Sequence, residues 1–328
     1  MKYFNNKGAS NNDDKFIMAS GTLQTMEVFA DTVKRAMEVY FGNAYQVNVE
    51  KMSKNNGIVL TGLIIQEKKS NIAPMIYLDN FYQNYQSGET MANVCKEIIR
   101  IYEEQKTSME FDVRSITEFS KVKERICYKL VHAKRNQELL KETPHFLFHD
   151  LAVIFYVLVS QEEEGLASIT IKKDLQKIWK VDNNTLFQVA LQNTQRLFRG
   201  SVAPIEVVLT ELVAEQMGNE VAMEFYDMLV CEDAIPMYVA SNHMKLEGAG
   251  VIFYKDLLRN FAKKVNSDFY IIPCSVHEVI FVPTSAALEP SMVKELVHEV
   301  NATEVAPEEI LSDNIYYYNR EADRVEML

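Results

Sequence analysis

Residues 150–165 read DLAVIFYVLVSQEEEG, and this stretch decides the fold. Ten residues after Asp150 are nearly all apolar, and most are β-branched or aromatic. A run of that length and kind fits a strand buried on both faces. Glu162, Glu163, Glu164 and Gly165 then turn the chain into LASITIKK (166–173), a second strand. Helical stretches follow at 173–180 and 184–198, with Asp182, Asn183 and Asn184 as the cap signal.

Upstream, apolar residues from Thr22 to Phe41 recur at helical spacing: Met26, Phe29, Ala30, Val33, Met37 and Tyr40. YQVNVEKM (45–52) and IVLTGLIIQ (58–66) alternate around Asn56-Gly57, the signature of a β-hairpin. MIYLDNFY (75–82) gives a third strand running into an aromatic-rich turn. Ser87–Thr90 caps a helix at 91–105. Downstream come helices at about 204–217 and 220–231, a strand PMYVAS, and a helix reaching Val265. Strands FYIIPC and EVIFVP, a helix after Pro290 and a late strand NIYYYN complete the chain. The expected class is α+β, with mixed antiparallel sheets and flanking helices. The expected organisation is a disordered segment 1–20, an N-terminal α/β unit 21–110, a middle α+β segment 111–201 and an acidic C-terminal α+β domain 202–328.

The 328 residues carry 34 Lys+Arg and 46 Asp+Glu, a formal charge of −12. The charge is uneven. Residues 1–201 hold 26 bases and 24 acids, a net of +2, whereas 202–328 hold 8 bases and 22 acids, a net of −14. Net negative charge argues against general nucleic-acid binding, which depends on displacing phosphate counterions. The exception is Lys121–Arg135, where Lys121, Lys123, Arg125, Lys129, Lys134 and Arg135 face one acid, Glu124. That stretch reads as an amphipathic helix or strand with a basic solvent side, a nucleic-acid contact, or an electrostatic mate for the acidic part of the chain. No apolar run is long enough to cross a membrane, so no membrane partner is expected. The first residues, MKYFNNKGASNNDDKF, are polar and hold no apolar run, so no signal peptide is expected. Cys95, Cys127, Cys231 and Cys274 form no CxxC pair and suit a reduced, cytoplasmic setting.

No motif commits to a reaction. GxxxxGK[ST], GxGxxG, GxSxG and HExxH are all missing, and no cofactor is implied. Two clusters hold residues with the right chemistry. His145 and His149 are four apart with Asp150 adjacent, and two imidazoles and a carboxylate suit zinc or iron. Their alternative is to flank an aromatic patch. Cys274, Ser275, His277 and Glu278 lie between two strands and include a nucleophile, a base and a carboxylate. Their alternative is a turn whose polar side chains bond its own backbone.

Three separated runs, NNGIVLTGLIIQEKKSNIAPMIYLDNFY (55–82), FHDLAVIFYVLVSQEEEGLASITI (148–171) and DFYIIPCSVHEVIFVP (268–283), resemble an uncharacterised domain-of-unknown-function family of anaerobic Gram-positive gut bacteria, often linked to phage-like or conjugative elements. The likeness covers about residues 22–318. The last two runs resemble, more faintly, a second uncharacterised Gram-positive family. The resemblance implies a bacterial cytoplasmic protein carried by a mobile element, and it carries over no catalytic residue.

Two readings result. The first is a non-enzymatic interaction module that docks a basic protein partner, such as a host or defence protein, on Glu206, Glu211, Glu215, Glu220, Glu308 and Glu309. The second is a metal- or thiol-dependent enzyme centred on His145 and His149 or on the Cys274–Glu278 turn. The balance leans against an enzyme. Oligomeric state is not legible.

Overall fold

The computed structural model describes residues 24–70, 73–105, 113–162, 165–230, 235–286 and 288–328. The fold is α+β, with three antiparallel sheets among the described residues. The described residues separate into two compact units. One holds those of Met1–Met52 and Leu60–Glu110, and the other holds Ser53–Val59 and Phe111–Leu328. The expectation for residues 1–20, and that for Cys231, lie outside the described residues.

In the first unit, α1 (Met26–Phe41) starts where Thr25 Oγ1 accepts from Val28 N and stops at Gly42. It buries Phe29, Ala30, Val33 and Met37. Tyr40, expected on the same stripe, is exposed and packs edge-on against Phe41. Strands β1 (Tyr45–Ser53), β2 (Val59–Glu67) and β3 (Met75–Tyr77) pair in that order. Two helices follow, α2 (Asp79–Gln86) and α3 (Met91–Gln105). The expected aromatic turn is therefore a helix. Phe81, Tyr82 and Tyr85 recur at helical spacing, and both tyrosines reach the Phe29 ring at 5.4 and 5.3 Å. Val94, Ile98 and Tyr102 of α3 close this core over Leu63, Ile65 and Ile76.

The second unit runs α4 (Phe119–Val122), β4 (Ile126–His132), α5 (Gln137–Glu142), β5 (His145–Phe148), β6 (Leu151–Glu162), β7 (Gly165–Thr170), α6 (Lys173–Trp179), α7 (Asn183–Leu197), β8 (Gly200–Pro204), α8 (Ile205–Met217), α9 (Asn219–Leu229), β9 (Tyr238–Asn242), α10 (Lys255–Val265), β10 (Phe269–Ile272), β11 (Val279–Pro283), α11 (Pro290–Thr303), β12 (Tyr316–Asn319) and β13 (Arg324–Met327). The hairpin turn counts with this unit. Asn56 N donates to Asn136 Oδ1 at 2.9 Å, and Asn56 Nδ2 donates to the Ile310 carbonyl at 2.7 Å.

Strand β6 organises the smaller sheet. β4 pairs along one side of it, and β5 and then β7 pair along the other. Leu151 through Leu158 are all buried. Leu151, Val153, Phe155 and Val157 enter the main core, whereas Ala152 and Ile154 enter one cluster behind the sheet and Tyr156 and Leu158 another. Two-sided burial is what an unbroken apolar run requires, since a strand turns alternate side chains to opposite faces. Each large side chain so buried contributes about 1.5–3 kcal/mol.

The larger sheet has the order β13-β12-β10-β11-β9-β8. Phe269 and Ile271 face α10 and the main core, while Tyr270 and Ile272 face Val293 and Val297 of α11. Residues 248–253, GAGVIF, form a buried 3-10 helix ahead of α10. Strands β5, β8 and β13 go beyond the sequence expectation. Each has four or five residues and gains its identity from the neighbour it pairs with. The basic stretch is neither one helix nor one strand. Helix α4, a 3-10 turn at Lys123–Arg125 and strand β4 follow one another through it, so the helical spacing of Lys121, Arg125 and Lys129 crosses a junction. Among the described residues, no helix is long and apolar enough to cross a membrane.

Candidate functional site

Three places gather the polar residues singled out by the sequence, all within the second unit. The first is the turn between β5 and β6. His149 and Asp150 are its two central residues, and His149 sits at φ 55°, a conformation usually left to Gly. Asp150 Oδ2 accepts from Ser312 Oγ at 2.6 Å and Asn314 Nδ2 at 2.9 Å, and Oδ1 accepts from the Tyr316 hydroxyl. Burial would raise this carboxyl, but the three donors win and hold it below its ordinary value. His132 Nε2 lies 3.9 Å from Asp150 Oδ2. Burial lowers the His132 imidazole despite that neighbour.

His132, His145, His149 and Asp150 line one cleft of about 770 Å³ with Lys134 and Lys141. The structure therefore brings His145, His149 and Asp150 to one surface. It also commits them. His145 Nδ1 lies 3.0 Å from the Thr143 carbonyl and His149 Nε2 lies 3.3 Å from that of Val325. Among the described residues, no group of three or more His, Cys, Asp or Glu is arranged to hold a metal ion.

The second place is the 273–278 turn between β10 and β11. Residues 309–312 run along it: Val276 N donates to the Glu309 carbonyl, Leu311 N to that of Cys274 and Ser312 N to that of Pro273, at 2.9–3.0 Å. His277 N donates to Ser275 Oγ at 3.0 Å, the self-bonded turn that the sequence offered as an alternative. Cys274 packs among Tyr270, Ile272, Val293 and Val297, and burial pushes its thiol up to about 12. His277 instead lines a separate cleft of about 220 Å³ with Lys129, Tyr156, Ser168 and Glu247. There Lys129 Nζ donates to Glu247 Oε1 at 2.7 Å, Glu247 N donates to His277 Nδ1 at 3.3 Å, and His277 Nε2 lies 3.4 Å from Glu309 Oε1. Burial raises the Glu278 carboxyl, and Ser275 bonds it. So Ser275, His277 and Glu278 stay together while Cys274 faces another core. The sequence does not group Lys129, Tyr156 and Glu247 with His277, because they come from three distant segments. The left-handed backbone of Lys245 and Glu247, φ 53° and 50°, has no sequence signature.

The third place is the acidic part. The six carboxylates expected to dock a partner divide in two. Glu308 and Glu309 lie on the segment zipped to the 273–276 turn, whereas Glu206, Glu211, Glu215 and Glu220 lie on the α8–α9 pair. Some of the C-terminal charge is used internally. Lys129 pairs with Glu247, and Arg135 pairs with Asp313 at 2.5 Å. Two bases of the basic stretch are thus mates for carboxylates of the acidic part.

The α8–α9 pair is different. Ile205–Leu229 contains six carboxylates and no Lys or Arg. Among the described residues, its one ion pair is Glu211 with Lys245 at 3.8 Å. Glu215, Glu220, Glu224 and Asp227 are exposed. α8 carries Val207, Val208, Leu209, Leu212, Val213 and Met217 around its circumference, yet none of its residues is buried. Only Ala222 is buried in α9. Met217, Met223 and Met228 are 65, 62 and 80% exposed.

A family model described as a family of unknown function (DUF5688) matches residues 26–320. No curated protein matches the chain, and no solved structure does.

Proposed function

The chain belongs to that family of unknown function, and we propose that it is a protein-interaction module whose α8–α9 pair takes a basic, apolar-faced segment of a protein partner. One observation carries the reading: α8 bears apolar residues around its circumference, yet none of them is fully buried, and Leu212 and Met217 are 41 and 65% exposed. A helix of that composition is ordinarily enclosed by other parts of a protein. Methionine suits such a surface, because its unbranched, polarisable side chain adapts to varied shapes. The charge says what kind of partner fits. Six carboxylates without a base attract a cationic segment and steer its approach. A second copy of the pair would set like charge against like.

The mobile-element setting implied by the resemblance belongs to the same proposal, as does a host or defence protein as the target. The enzyme alternative has less support. A thiol held at about 12 is protonated near neutral pH, and the Asp150 oxygens are already occupied.

The test is a titration with a labelled helical peptide of Leu and Arg bearing one apolar stripe, beside its Leu/Glu counterpart. The Leu/Arg peptide is expected to bind, and added salt to weaken it. The E211Q/E215Q/E220Q/E224Q protein is expected to bind about tenfold more weakly, or ~1.4 kcal/mol. Equal binding of both peptides, or an unchanged affinity in the variant, would remove the basis for this reading.

A further inference from the structure

We propose that the open edge of β8 is a strand-addition site for an extended acidic peptide. Among the described residues, β8 is the last strand of its sheet and pairs on one side only, with β9. At its two ends, the Arg199 carbonyl accepts from His243 N and Ile205 N donates to the Met237 carbonyl, both at 2.9 Å. In an antiparallel ladder the bonded positions alternate. Residues 199, 201, 203 and 205 therefore face β9, and Gly200, Val202 and Pro204 turn their backbone groups outward. Among the described residues, no backbone group bonds the outward N–H of Gly200 or Val202.

Exposed edges are usually guarded by an internal charge, a bulge or a covering element. β8 reads Gly-Ser-Val-Ala-Pro, with no charge and with proline only at its last position. A cleft of about 470 Å³ lies along it. Arg199, Ser201 and Val202 line one wall, and Leu257, Asn260 and Lys264 of α10 line the other. Residues from both faces of the strand contribute, which places the cleft at the edge. Gly200 lets the strand approach α10 this closely, since a Cβ there would lie 2.5 Å from Leu257 Cδ1. Extended peptides bind in this way elsewhere: main-chain bonds to an edge strand give affinity and flanking side chains give selectivity.

The flanking charge selects the occupant. Arg199 and Lys264 have no carboxylate partner among the described residues, and Asp256 at the rim is 3.7 Å from Arg259. A peptide bearing carboxylates at alternate positions matches two cations that no carboxylate neutralises, Arg199 and Lys264, the latter with its Nζ 5.7 Å from the centre of the Tyr238 ring. The β8 strand of a second copy would bring another Arg199 and no carboxylate.

The probe is a fluorescein-labelled peptide of alternating Val and Glu, compared with the same peptide N-methylated at alternate amides. Against the unaltered chain, the first is expected to bind and the methylated form about tenfold more weakly. Val202→Pro removes one outward N–H and leaves the β9 ladder intact, a change edge strands tolerate. It and Arg199→Glu are each expected to weaken binding about tenfold, with unchanged melting temperature and unchanged binding of the Leu/Arg peptide at α8–α9. Failure of the Val/Glu peptide to bind, or binding that survives N-methylation, overturns the proposal without touching the α8–α9 reading.

Discussion

Gly248→Ala is expected to destabilise the second unit by about 3 kcal/mol or more. A Cβ at this position would lie 2.1 Å from Ser241 Oγ, 2.3 Å from the His277 carbonyl and 2.9 Å from Asn242 N. Two of those three atoms are backbone, so no side-chain rotation relieves the overlap. The same three segments hold one another: Ser241 Oγ donates to the His277 carbonyl at 2.7 Å, and Ala249 N donates to that of Val276 at 3.1 Å. Forcing them apart separates β9 from the 273–278 turn and disturbs the Lys129–Glu247–His277 cleft. Urea denaturation measures the effect. A variant within about 1 kcal/mol of the parent would mean that the 248–253 helix is not packed as described.

Asp150→Ala is expected to cost about 3 kcal/mol, because it leaves the Ser312, Asn314 and Tyr316 donors around a half-buried position without their acceptor. Tyr316→Phe removes one donor and should cost about 1–2 kcal/mol. The carboxyl of Asp150 is lowered in the folded chain. Its contribution is therefore fully present above the unfolded value, about 4, and is lost as the pH falls through the lower folded value. His132 is also lowered, so its neutral form favours folding above about 6.5, and that contribution declines as the solution is acidified below that point. The difference in unfolding free energy between parent and Asp150→Asn should shrink below about pH 4. A constant difference down to pH 3 would show that Asp150 is not held ionised by these donors.

The long, strongly patterned elements were legible from the chain. The run at 151–158 is buried on both faces as its composition demands. Asn56-Gly57 makes the turn between β1 and β2, and Asp182 caps α7, its Oδ1 accepting from Thr185 N at 2.7 Å. The family suggested by the runs at 55–82, 148–171 and 268–283 is a family of unknown function, as expected. Short edge strands were not legible, because four residues such as His145–Phe148 carry too little pattern to outweigh the surrounding loops. The clefts were half legible. His277 and Asp150 stood out by type and spacing, but Lys129, Tyr156 and Glu247 became neighbours only when β4 and β6 paired beneath the 242–248 loop. The acidity of residues 202–328 was plain in the sequence. What needed the structure was its division into carboxylates paired with bases such as Lys129 and Arg135 and carboxylates left exposed on α8 and α9.

The proposed binding surface is α8 with α9. The most direct measurement is a methyl spectrum of the chain labelled with [methyl-¹³C]methionine, recorded as the Leu/Arg peptide is added. Met217, Met223 and Met228 are expected to shift together with the titration, while buried Met37 of the first unit stays in place. A saturating peptide that leaves the three α8–α9 methyls unmoved would contradict the account.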